Sequence, residues 1–249
     1  MNIRLLGLIL VLLSLESYAG IEHAVGVARD AENGALRYIE HHQYFDDGTH
    51  QVDYYTPDMN RIAYKTLAYE GLPQHPNIVS EDFNRGSKTQ VSIVDGQVVM
   101  TSERANDVRE GSLAADPELV VDAGFDAYIR ENLDTLLQQG ETRLKFAVAG
   151  FPRTLTMRVE AEPSARDGEY NLSIYPNNLF VRLFVPRIDL TYSDTPRLKE
   201  YRGYSNLIPD DGRSPLVVIA FDHYETEERL DGPMASWLPV PTGPAVTGQ

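Results

Sequence analysis

Three histidines open the question of chemistry. His41 and His42 are adjacent, and His50 lies just beyond an Asp47-Gly48 turn. Neighbouring residues on a strand point to opposite faces, so one ion cannot take both His41 and His42. His42 and His50, on the two strands of one hairpin, can face the same way. With Glu40 or Asp53 as carboxylate partner they would form an acid–base site of the kind a hydrolase uses. No HExxH spacing accompanies them, and no metal ligation is expected. "GYSN" (203–206) offers a serine in a turn composition, without a G-x-S-x-G elbow or a triad order. Neither a phosphate-cradling loop nor a dinucleotide fingerprint is present, so no cofactor is expected. The chain has no cysteine, which excludes disulfides, thiolate ligands, a cysteine nucleophile and a lipidated N-terminal cysteine.

Tyrosine is the other unusual component, 14 residues against one tryptophan. Tyr38 and Tyr44 share a face of one predicted strand, and Tyr54 and Tyr64 follow on the next two. A concave sheet lined by such rings would hold a lipid or hydrophobic small molecule while the hydroxyls stay hydrated. The stretch "YPNNLFVRLFVPRIDLTY" (175–192) adds Phe180, Phe184 and Arg182 as candidate ligand contacts. Period alone leaves 179–185 open between strand and helix. The expectation is burial against the helix of 122–140, with Arg182 discouraging aggregation. Exposed, the run would be a surface for lipid or a partner protein. Glu40 and Lys65 are expected to pair across strands.

The elements that would position these residues are mostly short strands. "GALRYIEHHQYF" (34–45), "HQVDYYTP" (50–57), "RIAYKTLAYE" (61–70), "TQVSIV" (89–94) and "QVVMTSE" (97–103) alternate or are rich in β-formers, with Asp-Gly turns at 47–48 and 95–96. Residues 70–82, with two prolines, and 104–121, without a period, are expected to be loops. "DAGFDAYIRENLDTLLQQG" (122–140) places Phe125, Ile129, Leu133, Leu136 and Leu137 at helical spacing, with Asp122 as cap and Gly140 as stop. Strands resume in "ETRLKFAVAG", "LTMRVEAEP", "EYNLSIYP", "RIDLTY", "LKEYRGYSNL" and "PLVVIAF", the last two joined through "PDDGR". Many strands with one helix predict a mainly β fold: a strongly curved antiparallel sheet or open half-barrel under a single covering α-helix.

The ends of the chain speak of location. "MNIR", an apolar run from Leu5 to Leu15 and small residues at Ser17 and Ala19 make a secretory signal over 1–19, cut before Gly20. The run is shorter than the roughly 20 residues a bilayer span needs, and no later stretch is long and apolar enough to span. A single β-rich domain is expected over 20–231, and a disordered Pro/Gly-rich tail over 232–249. A cysteine-free exported chain fits a bacterial periplasm. The formal charge of −15 argues against nucleic acid as a partner.

Three pieces, "GFDAYIRENLDTLLQQGE", "PNNLFVRLFVPRIDLTY" and "LKEYRGYSNLIPDDG" leading into "VVIAF", resemble an uncharacterised family of β-rich periplasmic proteins of Gram-negative bacteria, a domain of unknown function. They fall between Phe125 and Phe221. The resemblance implies no catalytic residue. Its architecture is similar to the half-barrels of envelope lipoprotein carriers, an analogy of shape. The function expected is binding of a hydrophobic or amphipathic ligand, or of an envelope protein. A hydrolase using His42 and His50, or a structural adaptor, are the alternatives.

Overall fold

A computed structural model describes residues 21–105, 107–205, 207 and 214–226. The expected leader, the tail and the "PDDGR" link lie outside the described residues. The first half of the chain contributes β1 (Ile21–Asp30), β2 (Leu36–Tyr44), β3 (Thr49–Tyr55), β4 (Arg61–Ala68), β5 (Asn77–Asp82), β6 (Ser87–Val94), β7 (Gln97–Arg104) and β8 (Asp107–Ala114). The second half contributes β9 (Leu119–Val121), the helix α1 (Gly124–Gln139), β10 (Glu141–Ala147), β11 (Leu155–Pro163), β12 (Glu169–Pro176), β13 (Ile188–Ser193), β14 (Leu198–Tyr204) and β15 (Leu216–Thr226).

All fifteen strands form one sheet, ordered β8-β7-β6-β5-β4-β3-β2-β1-β15-β14-β13-β12-β11-β10-β9. Two meanders are thus fused back to back through antiparallel β1 and β15. The two edge strands, β8 and β9, are consecutive in sequence, joined only by residues 115–118. Fifteen strands laid flat would span roughly 70 Å at the usual inter-strand spacing. A link that short reaches about 17 Å. The sheet must therefore curl until its edges approach, and it is a strongly curved, nearly closed, mainly antiparallel sheet with one α-helix among the described residues.

The seam is stapled from both sides. The Gln74 side chain donates to the Pro117 carbonyl (2.8 Å), and Val121 N–H donates to the Gln74 carbonyl (3.0 Å). A His75 ring nitrogen meets the Leu119 carbonyl at 2.8 Å. On the far side β8 lies against the chain that follows β10. A Cβ at Gly111 would stand 2.3 Å from Pro152 Cγ, so this approach requires glycine.

Two large apolar clusters and a small third one, around Val25 and Ile39, pack the fold. One large cluster joins Val52, Leu67, Ile78, Val91 and Met100 to Ile219 and Phe221. The other packs Ile129, Leu133 and Leu136 of α1 on Leu144, Met157, Val159, Leu172 and Leu190.

Several expectations are corrected. Residues 70–82 are a crossing loop only in their first part, since β5 occupies Asn77–Asp82. Residues 104–121 contain β8 and β9. β9 pairs with β10 in parallel, the exception in an otherwise antiparallel ladder. Asp122 does not cap α1 with its side chain: the capping position is Ala123, without a side-chain bond, and the Asp122 carboxylate instead binds Lys65 and the N–H groups of Ala123 and Ala149. Gly140 does end the helix, its N–H bonded to the Leu136 carbonyl. The 179–185 run is not buried against α1. It is a short turn of 3-10 helix, Val181–Leu183, between β12 and β13. Leu179, Phe180, Leu183 and Phe184 are each more than 70 % exposed. No described element packs over this connection, so apolar composition alone could not bury it.

Candidate functional site

The concave side of the sheet encloses a cavity of about 200 Å³. Its apolar wall comes from opposite halves of the chain: Val52 and Leu67 from β3 and β4, Ile219 and Phe221 from β15, Phe125 from α1 and Phe146 from β10. Phe221 lies flat on β1, where a side chain at Gly26 would place its Cβ 2.6 Å from the ring. Glycine at this point lets an aromatic ring cover the strand backbone.

Polar groups are set into that greasy wall. Glu40, His42 and Tyr44 alternate along β2 and share its inner face with Tyr38. The register pairs His42 with Val52 and Tyr44 with His50, which brings His42 and His50 together diagonally. Glu40 Oε2 stands 2.9 Å from His42 Nε2, and His42 Nδ1 stands 2.9 Å from His50 Nε2. With an ionised Glu40, His42 Nε2–H donates to the carboxylate, and His50 Nε2–H donates to the bare His42 Nδ1. Burial pushes the pKa of His50 well down, assisted by His42, Arg130 and Lys65. A neutral His50 then keeps its Nδ1 lone pair as an acceptor. The Tyr44 ring stacks on His50, with centroids 4.1 Å apart. Burial pushes the Tyr44 phenol well up, and Asp126 adds to the effect. Burial, and after it the Glu40 charge, push the Tyr38 phenol well up as well.

Across the cavity Lys65 Nζ donates to Asp122 Oδ1 at 2.7 Å. Burial by itself would push the Asp122 carboxyl up. The Lys65 ammonium and the N–H groups of Ala149 and Ala123 outweigh it, and the carboxyl lies below the usual carboxylate range. The expected Glu40–Lys65 pair is therefore replaced by Glu40–His42 and Lys65–Asp122. Each charge has found a nearer partner than the other.

The expected ligand residues separate into three places. Tyr38, Tyr44 and Tyr54 line the cavity. Tyr64, one residue from inward-facing Lys65, stands on the other face of β4 with Phe83 and Arg61. Phe180, Arg182 and Phe184 sit on the exposed β12–β13 connection. There the Arg182 guanidinium lies 4.2 Å over the Tyr175 ring and donates to the Pro176 carbonyl. Of the two carboxylates weighed for the histidines, Glu40 joins them, whereas Asp53 faces outward and pairs with Arg61. His41 also faces outward, stacked on His23, and burial pushes its pKa down to about 4.

Asp122, Phe125, Ile219 and Phe221 were not anticipated as a wall. Each lies far in sequence from β2, and only the closure of the sheet brings them together. Among the described residues no group of three His, Asp or Glu is placed to hold a metal ion. Chemically, the site can desolvate an apolar group and accept one hydrogen bond at His50. It can also move a proton along the Glu40–His42–His50 line.

No protein-family model and no curated protein matches the sequence. Among solved structures the chain is similar to the crystal structure of a β-barrel-like protein of a domain of unknown function, DUF1849, from Brucella abortus. The identity is 8 % and the TM-score 0.44, over 85 % of this chain and 99 % of that one. A likeness of that size bears on neither activity nor ligand.

Proposed function

We propose that this chain is an exported, periplasmic binding protein that holds a small hydrophobic or amphipathic molecule inside its curved sheet. The observation that carries the reading is the cavity of about 200 Å³, apolar in most of its wall and fitted with buried polar groups. An apolar cavity of about 150 Å³ accepts benzene. The group bound here is thus of the order of one ring or a short alkyl chain. The signal-like start of the chain supports export, and contact with an envelope protein falls to the exposed tip at 179–184. Among the described residues no helix is long and apolar enough to cross a membrane. Native mass spectrometry of the protein, purified without detergent, tests the reading. A retained small molecule, or a mass shift on adding lipids or short alkyl compounds, is expected. A clean ligand-free mass with no shift counts against it.

The relay of Glu40, His42 and His50 favours a second reading, a hydrolase-like enzyme acting on the bound molecule. It requires that the ligand be recovered chemically changed from the native protein and unchanged from His42→Ala. Recovery unchanged from both removes it.

A further inference from the structure

A second cavity of about 460 Å³ adjoins the first, more than twice its volume. Tyr54, Lys65, Asp122 and Val148 line both, so the two spaces meet at the Lys65–Asp122 pair. Much of the wall of the second space is the inner face of β4 to β8, completed by the segment 148–151 and by Tyr64 and Glu81 at its rim. Its character follows from the register. Leu67, Ile78, Val91 and Met100 are paired in succession across β4 to β7, and all four are buried in the apolar core. Two residues further along each strand the same face reads Lys65, Ser80, Thr89 and Ser102, with Arg109 opposite on β8. Two residues beyond that it reads Ala63, Asp82, Ser87, Arg104 and Asp107. Cross-strand partners share a face. Along β5 to β7 this face therefore changes from apolar to polar side chains within one step along the sheet, while Ala63, Val148 and Phe151 keep part of the wall apolar.

The row of Lys65, Ser80, Thr89 and Ser102 is not the wet exterior of a sheet, because the segment 148–151 faces it, whereas Arg104, Asp107 and Arg109 stand exposed at the open rim. Gly150 stands close to Ser102, where a Cβ would be 3.1 Å from the serine side chain. The four cations of this wall, Lys65, Arg85, Arg104 and Arg109, are matched by four carboxylates. Arg109 already grips Asp107 through Nε and a terminal nitrogen, at 3.0 and 2.7 Å. A net anion or cation would meet as much repulsion as attraction. An uncharged group whose hydroxyls both donate and accept would find partners at every row.

We propose that one amphiphile occupies both cavities. Its apolar part lies in the first, and its uncharged polyhydroxyl head, a glycosyl or polyol group, lies in the second. The Lys65–Asp122 pair marks the junction. This inference rests on the binding reading above and adds the class of head group.

Isothermal titration of the full chain with three six-carbon probes tests it: hexanol, hexyl β-glucoside and hexanoate. Hexyl glucoside is expected to bind about ten-fold tighter than either of the others, the worth of one or two net hydrogen bonds. Thr89→Val, and separately Ser102→Ala, should reduce that advantage while leaving hexanol affinity unchanged. Hexanol affinity in each variant reports directly that the variant is folded. Equal affinity for hexanol and hexyl glucoside, or an advantage untouched by both variants, overturns the head chamber alone. Tightest binding of hexanoate overturns the uncharged class. Binding of none of the three overturns the cavity reading as well.

Discussion

Replacing Lys65 by methionine isolates the buried ion pair at the junction of the two cavities. The side chains of Lys65 and Asp122 keep only 10 % and 15 % of their exposure. Removing one partner leaves a carboxylate in a poorly solvated site, at a cost of about 3 kcal/mol, the lower end of the range for buried pairs. In a chain of this size that lowers the melting temperature by roughly 6 to 12 °C. The pH dependence supplies the sign. In the native protein Asp122 is depressed, so its contribution is present above the unfolded value and is lost as pH falls through the folded one. In Lys65→Met burial is opposed only by the N–H groups of Ala149 and Ala123, and the folded value rises from its native position. The variant therefore loses less stability from this group than the native protein does as pH falls. The gap between the two proteins should be widest at neutral pH and shrink towards about pH 4. Lys65→Met/Asp122→Asn removes both charges and should recover most of the loss. Asparagine also tolerates the positive φ of 45° at this position. Urea unfolding at neutral and acid pH measures all three proteins. Equal midpoints for Lys65→Met and the native protein at neutral pH, or a double variant as weak as the single one, would refute the reasoning.

Three other perturbations probe the scaffold. Gly111→Ala places a methyl against Pro152 and should destabilise by about 1–3 kcal/mol in a thermal melt, with relief in Gly111→Ala/Pro152→Ala. Leu136→Ala, on the buried face of α1 and 3 % exposed, should cost about 2–5 kcal/mol, whereas Phe180→Ser at 79 % exposure should stay within about 0.5 kcal/mol. The histidines set an acid limb. His50 and His41 have folded pKa values below 6.5, so stability is complete above that pH and falls as pH drops towards about 4. His41→Asn should make that fall shallower in urea midpoints measured along the pH range.

The sequence spoke clearly where one face of a strand is wet and the other buried. The hairpin across Asp95 and Gly96 is an example: both residues take positive φ, 48° and 72°, and Val94 pairs with Gln97 as the turn requires. α1 was legible from its spacing, and the shared face of His42 and His50 from the hairpin at Asp47-Gly48. β8 was not legible. Its residues run "DVREGSLA" and are mostly exposed, so no apolar period marks an edge strand that pairs on one side only. β9 is three residues, too short for a period, and is held by the Val121 N–H bond to the Gln74 carbonyl and by its parallel pairing with Lys145 to Ala147 of β10. β1 was passed over because its adjacent Ala24 and Val25 are both buried, which erases the alternation expected of a half-wet strand. The apolar run at 179–185 misled in the opposite sense. The cavity wall was hidden because it joins residues of β2 to residues of β15, and only the closing of the sheet relates them.

The central claim is that the hollow of the curved sheet, and not its exposed tip, is where a ligand sits. Titration of a six-carbon apolar probe against the native protein, Ile188→Trp and Phe184→Ser measures this most directly. Ile188 lines the cavity, and a tryptophan there fills much of about 200 Å³. Phe184 is 82 % exposed on the β12–β13 connection. Binding by the native protein and by Phe184→Ser, with loss in Ile188→Trp, is the result this account predicts. Binding that survives Ile188→Trp but disappears in Phe184→Ser would contradict it.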